Sequence, residues 1–264
     1  MPFTSYGNGG GGITGDQVAI NKPVYVGTGG HIWYLSSTGV DAASPAGRER
    51  EKPLRTTQQA VTNAVAGDVI IYLPSFQETI SASVAVNKAL TIVSEGTGSS
   101  RARLTCAVAA GIMLNMTATG SSLNNIYFPA STAVPTARVQ FGNPGMVSDN
   151  CYFECGANDT GSSLIIASGA TACQLTNAYF LATAAQPAIA LSVPSAVSGL
   201  FFENVTLDGG SFGFSDFAFK AVGVLTAIYA NKINQLNNAD VSLAATWTGV
   251  YIPGVQSLSA RVEA

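Results

Sequence analysis

From His31 onward the chain is a series of short apolar runs separated by Gly, Asn, Ser, Thr and Pro. Ile32-Trp33-Tyr34-Leu35 reads as a short strand, and a polar loop follows through Arg50. Asp68-Val69-Ile70-Ile71-Tyr72-Leu73 is a β-branched run stopped by Pro74, the make-up of a buried strand. Between them lies the one segment with a helical period. Thr56 or Thr57 can cap it, and Gln59, Ala60, Asn63, Ala64 and Val65 carry it to a stop at Gly67, which predicts a helix near 56–66.

The apolar runs repeat. Asn125-Ile126-Tyr127-Phe128 returns as Asn150-Cys151-Tyr152-Phe153, as Asn177-Ala178-Tyr179-Phe180 and, more weakly, as Asn204-Val205-Thr206-Leu207, at spacings of 25, 27 and 27 residues. A second series falls between these copies: Val139-Gln140-Phe141, Leu164-Ile165-Ile166 and Ala188-Ile189-Ala190-Leu191. Short strands at such a period indicate a solenoid or a propeller. Propeller blades need about 40–50 residues, and the Leu/Asn consensus of leucine-rich repeats is absent. A β-helix turn of three strands and three bends fits.

In a β-helix each strand pairs with its equivalents about 4.8 Å above and below, so like residues form columns. Period-two alternation places Ile126, Cys151, Ala178 and Val205 in one inward column, and Phe128, Phe153, Phe180 and Leu207 in the next. Tyr127, Tyr152 and Tyr179 then point outward as a ladder. The expected architecture is all-β: a single-stranded right-handed parallel β-helix of roughly seven to eight turns, obtained from the length and the period. It has an N-terminal arm over residues 1–30, the β-helix with its capping helix over 31–225, and a C-terminal cap or tail over 226–264, where the period breaks.

Composition fits stacked columns. Charged residues are 10% of the 264, and the net charge is −3. Columns of like charge would repel. A chain so poor in basic residues offers no field for a nucleic-acid backbone. No uninterrupted apolar run reaches the roughly 18 residues of a membrane span, and residues 1–12 lack the features of a secretory leader. The four Cys, at 106, 151, 155 and 173, match no zinc spacing and read as buried free thiols.

The segments Trp33-Tyr34-Leu35-Ser36-Ser37-Thr38-Gly39 and Lys52-Pro53-Leu54-Arg55-Thr56-Thr57-Gln58-Gln59-Ala60-Val61 resemble the entry to β-helix proteins of the pectate-lyase-like superfamily. Ala66-Gly67-Asp68-Val69-Ile70-Ile71-Tyr72-Leu73-Pro74 is similar to that superfamily's next strand, and Asn87 to Gly96 to its following turn. The resemblance implies a helix that caps the open end of the β-helix. It is specific for fold and weak for function, because the superfamily includes polysaccharide lyases, glycosidases, phage tailspikes and non-enzymatic virion proteins.

Candidate chemistry is sparse. After residue 110 the basic residues are Arg138, Lys220, Lys232 and Arg261, and none stands beside an acidic cluster in the sequence. His31 is the only histidine, so a Ser-His-Asp triad or a histidine metal site is not expected. No metal and no cofactor are expected. One carboxylate pair emerges when the repeats are aligned. Glu154 and Asp208 occupy equivalent places two turns apart, roughly 9.6 Å in backbone spacing, at the edge of the window for an inverting glycosidase. Tyr152 and Tyr179 would lie beside them to stack on sugar rings.

The expected function is structural: a bacteriophage virion protein, a capsid decoration protein rather than an enzyme, located in the virion and bound to a major capsid protein. The glycine run at 7–12 and the alternating Val18, Ile20, Val24 and Val26 suggest that the arm, with Trp33 at the base of the β-helix, anchors it to the particle. The Tyr ladder is the candidate contact stripe of a homotrimer. The alternative is a tailspike-like or other carbohydrate-active protein, with Glu154 and Asp208 in its groove.

Overall fold

The computed structural model describes residues 30–243 and 247–248, apart from 44, 45, 185, 186, 223, 238 and 240. Its strands stack in parallel to form a β-helix. The first sheet begins with Ile32–Leu35, Val69–Tyr72 and Thr91–Ser94, and continues through Ser122–Asn124, Val147–Asp149 and Gln174–Thr176. The second sheet runs Gln77–Ile80, Arg103–Cys106, Tyr127–Phe128, Tyr152–Cys155 and Tyr179–Ala182. The strands Phe201–Asp208 and Tyr229–Leu236 are long enough to serve both. The third sheet has seven strands, from Val84–Val86 to Val241–Leu243.

The corner between the first two sheets explains the repeated asparagine. Asn125, Asn150, Asn177 and Asn204 all have φ between 50° and 59°, a left-handed backbone that asparagine tolerates better than most residues. Their side chains also join the turns. Asn150 Nδ2 donates to Asn125 Oδ1, and Asn204 Nδ2 to Asn177 Oδ1, each at 3.0 Å. Asp149 interrupts the ladder by accepting from Asn177 Nδ2 at 3.0 Å.

Inside, the expected columns form. Phe128, Phe153 and Phe180 pair in register and are fully buried, with successive ring centroids 4.6 and 4.7 Å apart. Ile126, Cys151, Ala178 and Val205 line the neighbouring column. All four cysteines are buried free thiols, and burial raises the pKa of each.

The helix α1 spans Thr57–Asn63, shorter than the sequence pattern suggests. Thr56 caps its start by accepting from the Gln59 N–H at 3.2 Å. Its end is fixed by a residue three strands further on: Lys88 Nζ donates to the carbonyls of Val61, Thr62 and Ala64. The Val65 N–H turns to Asp68 Oδ2 instead of continuing the helix. The helix packs against the strands Val84–Val86 and Ile32–Leu35, over the first turn of the β-helix.

Two further expectations change. Trp33 is not a surface anchor: it is fully buried, and its indole Nε1 donates to Asp68 Oδ2 at 2.7 Å. Period-two alternation turns Trp33 and Leu35 inward and leaves Tyr34 outside. The stack also runs on past residue 225, because Tyr229–Leu236 pairs along its whole length with Phe201–Asp208. The arm residues Val18, Ile20, Val24 and Val26 lie outside the described residues.

Candidate functional site

The outer surface of the second sheet carries two columns. Gln77, Arg103, Tyr127, Tyr152, Tyr179, Thr206 and Asn234 share one register. Glu154, Leu181, Asp208 and Leu236 share the other. Each strand presents every second residue here, so the pleat alone places both columns.

The aromatic column is a continuous stack. The Arg103 guanidinium lies 4.6 Å from the centroid of the Tyr127 ring. Tyr127 meets Tyr152 edge to face at 5.3 Å, and Tyr152 lies parallel to Tyr179 at 5.1 Å. The three tyrosines are half-buried. The rings pack against one another and against Arg103, and the side of Tyr179 away from Tyr152 faces Thr206 in the next turn. Tyr152, a candidate for stacking on a sugar ring, has a ring neighbour on each side, whereas Tyr179 has one on the Tyr152 side.

The carboxylates differ in their surroundings. Asp208 is buried at the end of its strand. Tyr179 Oη donates to its Oδ2 at 2.5 Å, and the Gly210 N–H and Asn237 Nδ2 donate to its Oδ1, each at 2.9 Å. Burial pulls its pKa up, but these donors outweigh burial and hold it below the usual carboxylate range. Asp208 is thus favoured in its ionised form, with its oxygens engaged by three donors. Burial and the Asp208 carboxylate push the Tyr179 phenol upward. Burial and the neighbouring Glu154 push Tyr127 to about 12, against the pull of Arg103. Burial also raises Tyr152. At neutral pH these phenols are hydrogen-bond donors, not bases.

Glu154 and Asp208 do share one outward column, as the repeat alignment predicts, with Leu181 between them. They belong to different settings. Glu154 lines a concave site of about 320 Å³ with Gln77, Thr79, Arg103, Thr105 and Tyr127, and Asp208 is not part of it. Arg103 is the residue that the sequence pattern leaves unnoticed here. Its signal was its position in the turn before the Tyr ladder, in the same column.

A second missed residue is Arg138. Its strand alternates so that Val139 and Phe141 face the core, yet Arg138 is fully buried. It donates to the carbonyls of Phe128 at 3.1 Å and Pro129 at 3.0 Å, and also to the Glu154 carbonyl and Ser163 Oγ. Its Nε stands 3.5 Å from Asp159 Oδ1. Asp159 in turn accepts from the Gly156 N–H at 2.7 Å and from Ser131 Oγ at 2.5 Å. Arg138 therefore does stand beside an acid, one supplied by the bend 21 residues later. The cluster ties successive bends together and has no opening to solvent.

No protein-family model and no curated protein matches this sequence. Among solved structures it is similar to a rhamnogalacturonan lyase, at TM-score 0.43 and 12% identity over 81% of this chain and 75% of that one. It is similar to an alginate lyase from a Paenibacillus species, at TM-score 0.44 and 15% identity over 74% and 92%. It is similar to a pectate lyase, at TM-score 0.42 and 13% identity over 84% and 62%. At these identities no residue role passes from those enzymes to this chain.

Proposed function

We propose that this chain is a non-catalytic structural protein of a bacteriophage particle, a β-helix scaffold that decorates a capsid and contacts its neighbours through its outer sheet faces. The observation that carries this reading is the state of the second sheet's outer surface. Its one aligned carboxylate pair is divided: Asp208 is held ionised by three donors, and Glu154 sits in a different site. Its tyrosine rings pack largely against one another and against Arg103. What remains is a ribbed row of ring edges, suited to packing against another protein. The low charge of the whole chain supports the same reading.

One observation favours a second reading, a carbohydrate-active protein. The concave site around Arg103, Tyr127 and Glu154 is open and polar, and its Arg and Gln could take hydroxyl or carboxylate groups of a glycan. Purified full-length protein should be incubated with polyuronates and with capsular and lipopolysaccharide glycans, and chain length followed by size-exclusion chromatography. The structural reading expects no shortening. Depolymerisation that Arg103→Ala or Glu154→Gln abolishes would replace it with the second.

A further inference from the structure

The outside of the first sheet holds an apolar cluster apart from the main core. Val69, Ile71 and Val93 are 0%, 1% and 0% exposed. Alternation places them outside the β-helix, because Ile70, Tyr72 and Ile92 are the inward residues of the same strands and belong to the main core. The apolar partners of this cluster among the described residues are Ile32 and Tyr34. These lie on the same outer face, paired in register with Val69 and Ile71. Side chains standing next to one another on one sheet face cannot remove each other wholly from water. Burial to that degree requires a second layer over them.

We propose that residues 18–26 of the same chain supply this layer, lying across the outer face of the first three strands of the first sheet. Three features select this segment. It carries Val18, Ile20, Val24 and Val26 in strand alternation, so one side of it is apolar at four of five positions, with Lys22 the exception at its middle. It precedes Ile32 by only Gly27-Thr28-Gly29-Gly30-His31, a stretch with three glycines that can reverse the chain beside the face in question. Nine extended residues reach about 30 Å, ample for strands that lie about 4.8 Å apart. Asp16 and Lys22 are the only charges from residue 13 to residue 29, and Lys22 can lay its methylene stem along the face while its ammonium stays in water at the edge. The segment that the sequence pattern assigned to a particle is in this arrangement folded back on its own β-helix, and the glycine run at 7–12 precedes it.

The test places the photoreactive residue benzoylphenylalanine on the face, in place of Tyr34 and, separately, in place of Thr91, which shares the face and is only half-buried. Full-length protein carrying the probe is mixed with an excess of 15N-labelled protein without it and irradiated. Cross-linked peptides are then read by mass spectrometry. The expected product joins the probe to a peptide within residues 18–26 of the unlabelled chain, on a monomer-sized species. In the same background Val24→Lys with Val26→Lys should cut that product at least fivefold and increase binding of a hydrophobic dye. Cross-links to the labelled copy would overturn the proposal in favour of an interface between chains. Cross-links to another part of the same chain, or none from either probe position in folded protein, would also overturn it. Two probe positions guard against one variant failing to fold.

Discussion

Lys232 stands where the asparagine ladder would take its next member. The pairing of Val205 with Ile233 aligns it with Asn204, and its φ of 60° matches the corner that the asparagines occupy. A lysine in that conformation loses about 1–2 kcal/mol relative to a right-handed backbone and adds no rung to the ladder. Lys232→Asn should therefore raise stability by about 1 kcal/mol, the sum of reduced strain and one hydrogen bond to Asn204. A urea or thermal midpoint that stays level or falls would refute it. Asp68 is a second residue-scale case. Burial raises its pKa, while the Trp33 indole and the N–H groups of Val65 and His31 lower it and prevail. Its folded pKa thus lies below its unfolded value. The stability that it contributes is present above the ordinary aspartate range of about 3.9 and is lost as pH falls through the folded value. Asp68→Asn should be destabilised at neutral pH, and the gap to the parent should close on acidification. Urea midpoints measured across that range would check this, and a gap independent of pH would contradict it.

At the scale of elements, each strand contributes to the core through columns rather than through its own length. Phe153 is stacked on both sides, by Phe128 and by Phe180. Phe153→Ala removes two ring contacts and leaves a cavity that the fixed strand spacing keeps open, so a loss of about 3–5 kcal/mol is expected in denaturant unfolding. Arg138 joins elements differently, by holding carbonyls from the second sheet and the carboxylate of a bend. Arg138→Met keeps the volume but strands Asp159 without its cation and leaves buried carbonyls unpaired. A loss of about 3–5 kcal/mol is expected, read from the same unfolding curves. A variant as stable as the parent would show that the cluster is not a staple.

At the scale of the whole molecule, the proposed trimer would use the outer surface of the second sheet. If the row Tyr127, Tyr152 and Tyr179 is the contact stripe of a homotrimer, the parent should sediment as a trimer at micromolar concentration and Tyr152→Lys as a monomer with an unchanged circular dichroism spectrum. Light scattering of both proteins is sufficient. A monomeric parent would assign the row to internal stacking alone. A trimer that survives Tyr152→Lys would move the interface to another face.

The repeat at 25–27 residues, the inward Phe column, the outward Tyr column and the shared column of Glu154 and Asp208 were all legible in the sequence. The reason is physical. Strand alternation and stacking at one spacing are rules that act on each residue and its equivalents one turn away, so a one-dimensional pattern contains them. What the tertiary structure alone decided lies at the bends and ends. There, contacts join residues with no fixed sequence relation: Arg138 with Asp159, Lys88 with the end of α1, and Asp208 with Asn237. The contact of the Trp33 indole with Asp68 belongs to the same class, because it joins a residue of one strand to the residue just before its paired neighbour. The partition of Glu154 from Asp208 was likewise invisible, since register sets the distance between two backbones but the surrounding donors set whether a carboxylate remains free to act.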